Sequence, residues 1–248
     1  MKVYGIQFGP VWEDQPANCR RIAALLTLAA PEAGSLVVLP EMCVSGFTMN
    51  ASAAASTATT VERLSGLARQ HGVHLVAGLA RGGPAANEAV VFGPDGDEAC
   101  RYRKQRPFTF GGEAEVYQAG GRFEMFDWQG ARVAPFICYD LRFPELFRPA
   151  AAAGMELLVV IASWPKRRIE HWVKLLQARA IENQCHVIGV NRTGSDPVNE
   201  HNGRSMIVNA MGELVVDAGE AEGVICAEID FEAQRDLRVR LPFLRDMV

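Results

Sequence analysis

Short apolar runs alternate along this chain with stretches in which apolar residues recur every three or four positions. The runs at 3–8, 35–39 (SLVVL), 133–137 and 156–162 have the length and β-branched content of strands buried on both faces. Further strands are predicted at 73–80, 88–92 and 98–104, an antiparallel meander closed by the turn GPDG, and at 122–128 and 131–137, a hairpin around Gln129 and Gly130. Another is expected at 185–191, and three more within 203–230 around a turn at Met211 and Gly212. Helical spacing is clearest where Ile169, Trp172, Val173, Leu176 and Ala180 fall on one face. Asp14 and Pro16 start an earlier helix carrying Ile22, Leu25, Leu26 and Ala29, ended by Pro31 and Gly34. A third is expected from about Thr60 to Gly72, with Thr59 and Glu62 at capping-box spacing. Pro144 opens an alanine-rich helix over 144–153, which Pro149 should kink or shorten. After 230 the chain reads as amphipathic and then irregular. Helices separating key strands point to an α/β layered sandwich, and the similarity of SLVVLPE to ELLVVIASW suggests two like halves.

Composition narrows the picture. With 49% hydrophobic and 22% charged residues the chain can bury a large core, and no low-complexity break divides it, so one domain over 1–248 is expected. A net charge of −4 without a Lys/Arg tract argues against nucleic acid as a partner and favours a small molecule. The opening MKVYGIQFGP reads as a strand rather than a signal peptide, and no apolar run reaches membrane-spanning length; a soluble cytoplasmic protein is expected. The six cysteines form no CxxC pair, which suggests free thiols and neither a disulfide framework nor a structural zinc site.

Candidate chemistry gathers at strand ends. The stretch ARVAPFICYDLRFP delivers Cys138 to a turn between a strand and a helix start, where backbone N–H groups and the helix dipole can favour a thiolate and an oxyanion. Taken alone, a buried cysteine that merely packs is the commoner case. Glu41 follows SLVVLP and Lys104 ends the meander, so three polar groups stand at the ends of three strands. Together they make a complete set for nucleophilic catalysis: a thiol, a carboxylate to take its proton, and an ammonium to favour the negative charge.

The motifs LPEM at 39–42, YRK at 102–104 and CYDLRFPE at 138–145, in that order, resemble those of the nitrilase superfamily of carbon–nitrogen hydrolases. Glu113 in GEAEVYQAG matches the superfamily's second glutamate, and SWP at 163–165 and ARAIENQ at 178–184 extend the likeness over nearly the whole chain. The chain looks most like the bacterial omega-amidase branch. One departure stands beside the lysine: related amidases commonly carry His-Leu-Phe there, and this chain has Gln105, Arg106, Pro107 and Phe108.

The resemblance implies an α-β-β-α sandwich that pairs into a four-layer homodimer, with residues 235–248 available to the contact or folded back on their own subunit. It implies a hydrolase that needs no cofactor or metal and cleaves a small linear amide, such as 2-oxoglutaramate, through a Cys138 thioester. Glu41 is the expected base. Lys104 and the Tyr139 N–H are expected to hold the oxyanion, and Glu113 to orient Lys104 or position substrate. Arg142 either pairs with a substrate carboxylate or ties the turn to Asp140 or Glu145; Trp164 either walls the pocket or covers the core. His171 and Cys43 are read as packing or surface residues. An N-carbamoyl amide hydrolase, a nitrilase, and a non-catalytic relative serving assembly or partner binding are the competing readings.

Overall fold

The computed structural model describes residues 1–247. Strands β1 (Lys2–Gln7), β2 (Leu36–Val38), β3 (His74–Arg81), β4 (Ala86–Phe92) and β5 (Glu98–Arg103) belong to one sheet. Strands β6 (Phe126–Trp128), β7 (Ala131–Ile137), β8 (Leu157–Ala162) and β9 (His186–Asn191) belong to a second. A separate hairpin follows, β10 (Thr193–Ser195) with β11 (Glu200–Asn202); β12 (Met206–Val208) and β13 (Leu214–Asp217) complete the second sheet, and β14 (Gly223–Glu228) returns to the edge of the first.

Both six-stranded sheets follow one plan. Three parallel strands, β1-β2-β3 in one and β7-β8-β9 in the other, are flanked by antiparallel partners. The two like stretches of sequence are the middle strands of these parallel trios, β2 and β8. Side-chain alternation then builds the layers. Val3, Leu36, Val38 and Val76 of the first sheet join the core shared with the second, where the Tyr102 and Phe136 rings meet at 5.1 Å. Their neighbours Tyr4, Val37, Leu75 and Ala77 face the other way, onto Ile22 and Leu26 of α1 (Gln15–Ala29) and Leu64 and Ala68 of α3 (Ala58–His71), the short α2 (Ala51–Ala54) lying between those helices in the chain.

The segment after β5 carries α4 (Glu113–Val116). Beyond β7 come α5 (Arg148–Ala152) and α6 (Ile169–Asn183), and Trp172 and Leu176 of α6 sit so close to β9 that a β-carbon at Gly189 would collide with both. The result is the expected α-β-β-α sandwich. The last helix, α7 (Phe231–Arg240), is capped by Asp230 and folds back on its own chain: Arg235 pairs with Glu156 at 2.6 Å, and Arg238 donates to the carbonyls of Met155 and Gln184. Val239 and Phe243 remain exposed, and residue 248 lies outside the described residues.

Three local expectations need correction. The cap of α3 is Thr57, whose hydroxyl accepts the Thr60 N–H, so the helix starts at Ala58 and the Thr59–Glu62 spacing is coincidental. The stretch 144–153 is one 3₁₀ turn, Pro144–Leu146, followed by the five-residue α5, because a second proline at Pro149 restarts the helix. The hairpin β10–β11 was not foreseen: its strands are three residues long and mostly polar, too brief for alternation to show.

Candidate active site

The strand ends place the polar groups. Beyond β2 the chain turns so sharply that Met42 takes φ +46°, and the Cys43 N–H donates to the Gly78 carbonyl at 2.9 Å. A β-carbon on Gly78 would lie 2.6 Å from Glu41 Cα, so a glycine at this point of β3 lets the Glu41 turn press against the sheet. Lys104 directly follows β5, its own N–H held by the Asn87 carbonyl at 2.9 Å. Cys138, at the end of β7, has φ +45° and begins a 3₁₀ turn, Cys138–Arg142. Left-handed backbone at a non-glycine residue is strain held by its surroundings.

These surroundings form a buried network. Lys104 Nζ donates to Glu41 Oε1 at 2.8 Å and to Glu113 Oε2 and Oε1 at 2.8 and 3.1 Å, and all three residues are buried. Asn87 Nδ2 donates to Glu41 Oε1 and to Glu113 Oε1, both at 2.8 Å. The remaining oxygens accept backbone N–H groups: Glu41 Oε2 from Ser163 at 2.8 Å, Glu113 Oε2 from Phe108 at 2.6 Å. Burial works against the Lys104 charge, but Glu113 and Glu41 outweigh it and hold its pKa above the ordinary lysine value.

The Cys138 thiol faces the same cluster. Burial first, then the Glu41 charge, push its pKa well above that of a free cysteine, while Lys104 and the Ser163 N–H pull in the other direction. This corrects one expectation: the site does not favour a standing thiolate, and the helix dipole invoked for it is absent, since a 3₁₀ turn separates Cys138 from the short α5. The thiol therefore keeps its proton until a base removes it.

Asp140 braces the turn that carries Cys138. Fully buried, it accepts from Tyr102 Oη at 2.8 Å, the Arg106 N–H at 2.8 Å and the Ile137 N–H at 3.1 Å, tying β7 to the chain that follows Lys104. Burial raises its pKa to about 6 against the pull of Lys104 and these donors.

Cys138, Lys104, Ser163, Trp164 and His201 line a narrow chamber of about 40 Å³, room for a few non-hydrogen atoms. It opens past Phe47, Phe108, Tyr139, Arg142 and Arg168 into a wider vestibule bordered by Phe110 and Val198. Trp164 fills both of the roles weighed for it, lining the chamber while its ring packs against Trp172 at 5.7 Å. Arg142 pairs with neither Asp140 nor Glu145; its guanidinium lies 4.7 Å from the Trp164 ring centre and 3.3 Å from His171 Nδ1. Arg168 lies over the Phe108 ring, and burial together with Arg167 and Arg142 lowers its pKa. Neither Arg142 nor Arg168 has an acidic partner within ion-pair distance among the described residues. Cys43 is buried packing, with burial pushing its thiol up.

The residues expected at the site thus converge, Glu113 and Tyr139 included. Asn87, Asp140, Arg168 and His201 were missed. Asn87 carried a signal, a polar residue inside the buried strand ANEAVVF, but the sequence places the start of that strand at 88, two residues late, which leaves Asn87 outside it.

Comparison with known proteins places the chain in a family. The family model described as carbon-nitrogen hydrolase matches residues 3–239. A 2-oxoglutaramate amidase of Bacillus subtilis is 34% identical over 218 residues, covering 86% of this chain and 84% of that protein. The omega-amidase YafV of Escherichia coli is 35% identical over 251 residues, 99% and 96% of the two chains. Among solved structures, XC1258 of Xanthomonas campestris, a CN-hydrolase superfamily protein with an arsenic adduct in its active site, superposes with a TM-score of 0.91 at 32% identity, covering 100% of this chain and 97% of that one. Saccharomyces cerevisiae Nit3, of the nitrilase superfamily, gives 0.87 at 27% identity over 98% and 94%. By the span of the match and the depth of the likeness, this chain belongs to the carbon–nitrogen hydrolase family.

Proposed function

We propose that this protein is an omega-amidase, releasing ammonia from a small dicarboxylate monoamide such as 2-oxoglutaramate, with Cys138 as nucleophile, Glu41 as base and Lys104 as the charge-stabilising cation. The observation that carries the reading is the buried Lys104 ammonium bonded to Glu41 and Glu113 at the floor of the chamber that exposes Cys138. Because the thiol is held protonated, attack on the amide carbon needs a concerted proton transfer. The Sγ proton passes to Glu41 as the S–C bond forms and the carbonyl electron pair moves onto oxygen.

Once Glu41 is neutral its hold on Lys104 weakens, which frees an ammonium hydrogen for the new oxyanion. The Tyr139 N–H, in the first turn of the 3₁₀ segment and thus without an intrahelical acceptor, supplies a second donor. The C–N bond then breaks, and the proton on Glu41 leaves with nitrogen as ammonia. Water attacks the thioester, gives its proton to Glu41, and that proton returns to sulfur as the C–S bond breaks. Glu113 orients Lys104 throughout. The distal carboxylate of the substrate meets Arg142 and Arg168, cations without acidic partners, and the homodimer suggested by the resemblance finds support in the exposed Val239 and Phe243 near the C-terminus.

Glu41→Gln tests the base directly. Ammonia release should fall by about 10³-fold or more with the melting temperature retained, and mass spectrometry of wild type mixed with a slow amide should place the acyl increment on Cys138. Near-normal turnover of the variant, or an acyl group on another cysteine, would remove the reading.

A further inference from the structure

The buried cluster has a neutral member that the reaction as written leaves without a part. We infer that Asn87 is a positioning residue: its side-chain amide holds Glu41 and Glu113 side by side and reserves Oε2 of Glu41 for the thiol proton. The inference rests on the assignment of Glu41 as base.

Hydrogen counting leads to it. Lys104 has three ammonium hydrogens, and its contacts to Glu41 Oε1, Glu113 Oε1 and Glu113 Oε2 take all three. Two carboxylates and one ammonium leave an excess negative charge in a space closed to water, and like-charged carboxylates in such a space cannot both stay ionised unless further donors face them. Asn87 supplies two, one to each carboxylate.

The orientation of the Asn87 amide is forced, since the reversed amide would aim its oxygen at two carboxylate oxygens. Its Oδ1, although buried, has no hydrogen-bond partner. A buried acceptor is thus left unmet to keep the NH₂ where it is. Asn87 also acts through its backbone, whose carbonyl holds the Lys104 N–H.

The consequence appears on Glu41. Lys104 and Asn87 occupy both lone-pair directions of Oε1, whereas Oε2 accepts only the Ser163 N–H. Ser163 lines the chamber together with Cys138, so the oxygen with a free lone pair is the one held at the chamber wall that carries the thiol. Without Asn87, Glu41 can rotate and Glu113 competes for the single ammonium.

Asn87→Ala removes both donors and keeps the backbone contact to Lys104. It should lower kcat by about 100-fold while KM moves less than about threefold, because the chamber wall does not include Asn87. The acid limb of kcat/KM should move up by about one pH unit as the two carboxylates come to share a proton. A residue that only stabilised the fold would lower the melting temperature and leave that limb in place. Should the alanine variant fail to fold, Asn87→Ser, which keeps one donor, takes its place with a loss of about tenfold and a smaller movement of the limb in the same direction. A folded variant with kcat within about threefold of wild type, or with reduced kcat and an unmoved acid limb, overturns the inference. Such a result leaves the Glu41 assignment intact if Glu41→Gln is inactive; an active Glu41→Gln removes both.

Discussion

The floor of the site and its mouth are built on opposite principles. At the floor, each hydrogen of Lys104 ends on a carboxylate oxygen, each oxygen of Glu41 and Glu113 has a donor, and the backbone carrying Glu41 and Lys104 emerges from paired strands. At the mouth, Arg142 and Arg168 lie over aromatic rings without an acidic partner among the described residues, and Phe110 is 87% exposed. A satisfied buried network fixes geometry, so the floor is made before any ligand arrives. Unmatched cations are a standing preference for an anion, so the mouth is finished by what binds there. On the proposed reading chemistry is set by the floor and selectivity by the mouth, and substitutions in the two places should therefore fail differently.

The largest effect is expected where the floor loses its only cation. Lys104→Met keeps the length of the side chain and leaves two buried carboxylates without a counter-charge, a change that costs about 3–5 kcal/mol when one partner of a buried ion network is removed. Turnover should fall by about 10³-fold or more, and the melting temperature by roughly 10 °C at neutral pH. The stability gap to wild type should narrow on acidification, as protons replace the missing ammonium. Melting curves at pH 7 and pH 5 read both effects; a variant that melts within about 2 °C of wild type at pH 7 would mean that the network holds nothing together.

How much of this was legible in the sequence follows the same division. The floor residues Glu41, Lys104 and Cys138 were readable because each stands in a motif just beyond a strand, whereas Glu113, on α4 ten residues past β5, was readable only through the motif that carries it. Strand ends are fixed points of a sheet, so finding the strand nearly places the residue. The mouth was less legible. Arg142 was weighed against a structural ion pair, and nothing in a linear reading shows that Asp140 is already taken by Tyr102 and two backbone N–H groups. Arg168 sat unremarked inside KRR, where only the folded chain shows Phe108 and Arg142 closing around it. His201 belongs to the β10–β11 hairpin, whose polar strands have no periodic signature. The helix-dipole argument failed for a related reason: sequence shows a proline that permits a helix and says little about how short that helix will be.

Asp140 belongs to the floor and yet carries the weakness of a buried acid, which gives the next effect in size. Its pKa in the folded protein is about 6, raised from 3.8, so folding favours its protonated form. The stabilisation is complete below the ordinary carboxyl value and is lost as pH rises through about 6. The two pKa values bound that loss at roughly 3 kcal/mol. Other acids run the opposite way: the Asp217 pKa, raised by burial but lowered more by Arg204, gains stability with rising pH. The effect is therefore read as the stability of wild type minus that of Asp140→Asn, which cannot ionise at this position. That difference should decline between about pH 4 and pH 7; a flat line would mean that Asp140 ionises as freely in the fold as outside it.

The smallest expected change tests the mouth, and its value lies in selectivity rather than size. Arg168→Gln removes one of the three unmatched arginines of the mouth, Arg142, Arg167 and Arg168, keeps much of the side chain that covers Phe108, and leaves the hydrogen bonds of the floor untouched. Relief of repulsion among Arg142, Arg167 and Arg168 should leave the melting temperature unchanged or slightly raised. For an amide with a distal carboxylate, kcat/KM should fall by about 10–50-fold, the worth of one charge-assisted contact, chiefly through KM. For a neutral amide of matched length, such as the methyl ester of the same acid, the fall should be under about threefold. Kinetics on the two substrates side by side decide the matter. Equal losses on both would assign Arg168 to the shape of the chamber rather than to charge recognition, and no loss on either would leave the anion to Arg142 and Arg167. The floor would keep its role in all three cases, because the hydrogen bonds that hold Glu41 and Lys104 do not involve the Arg168 side chain.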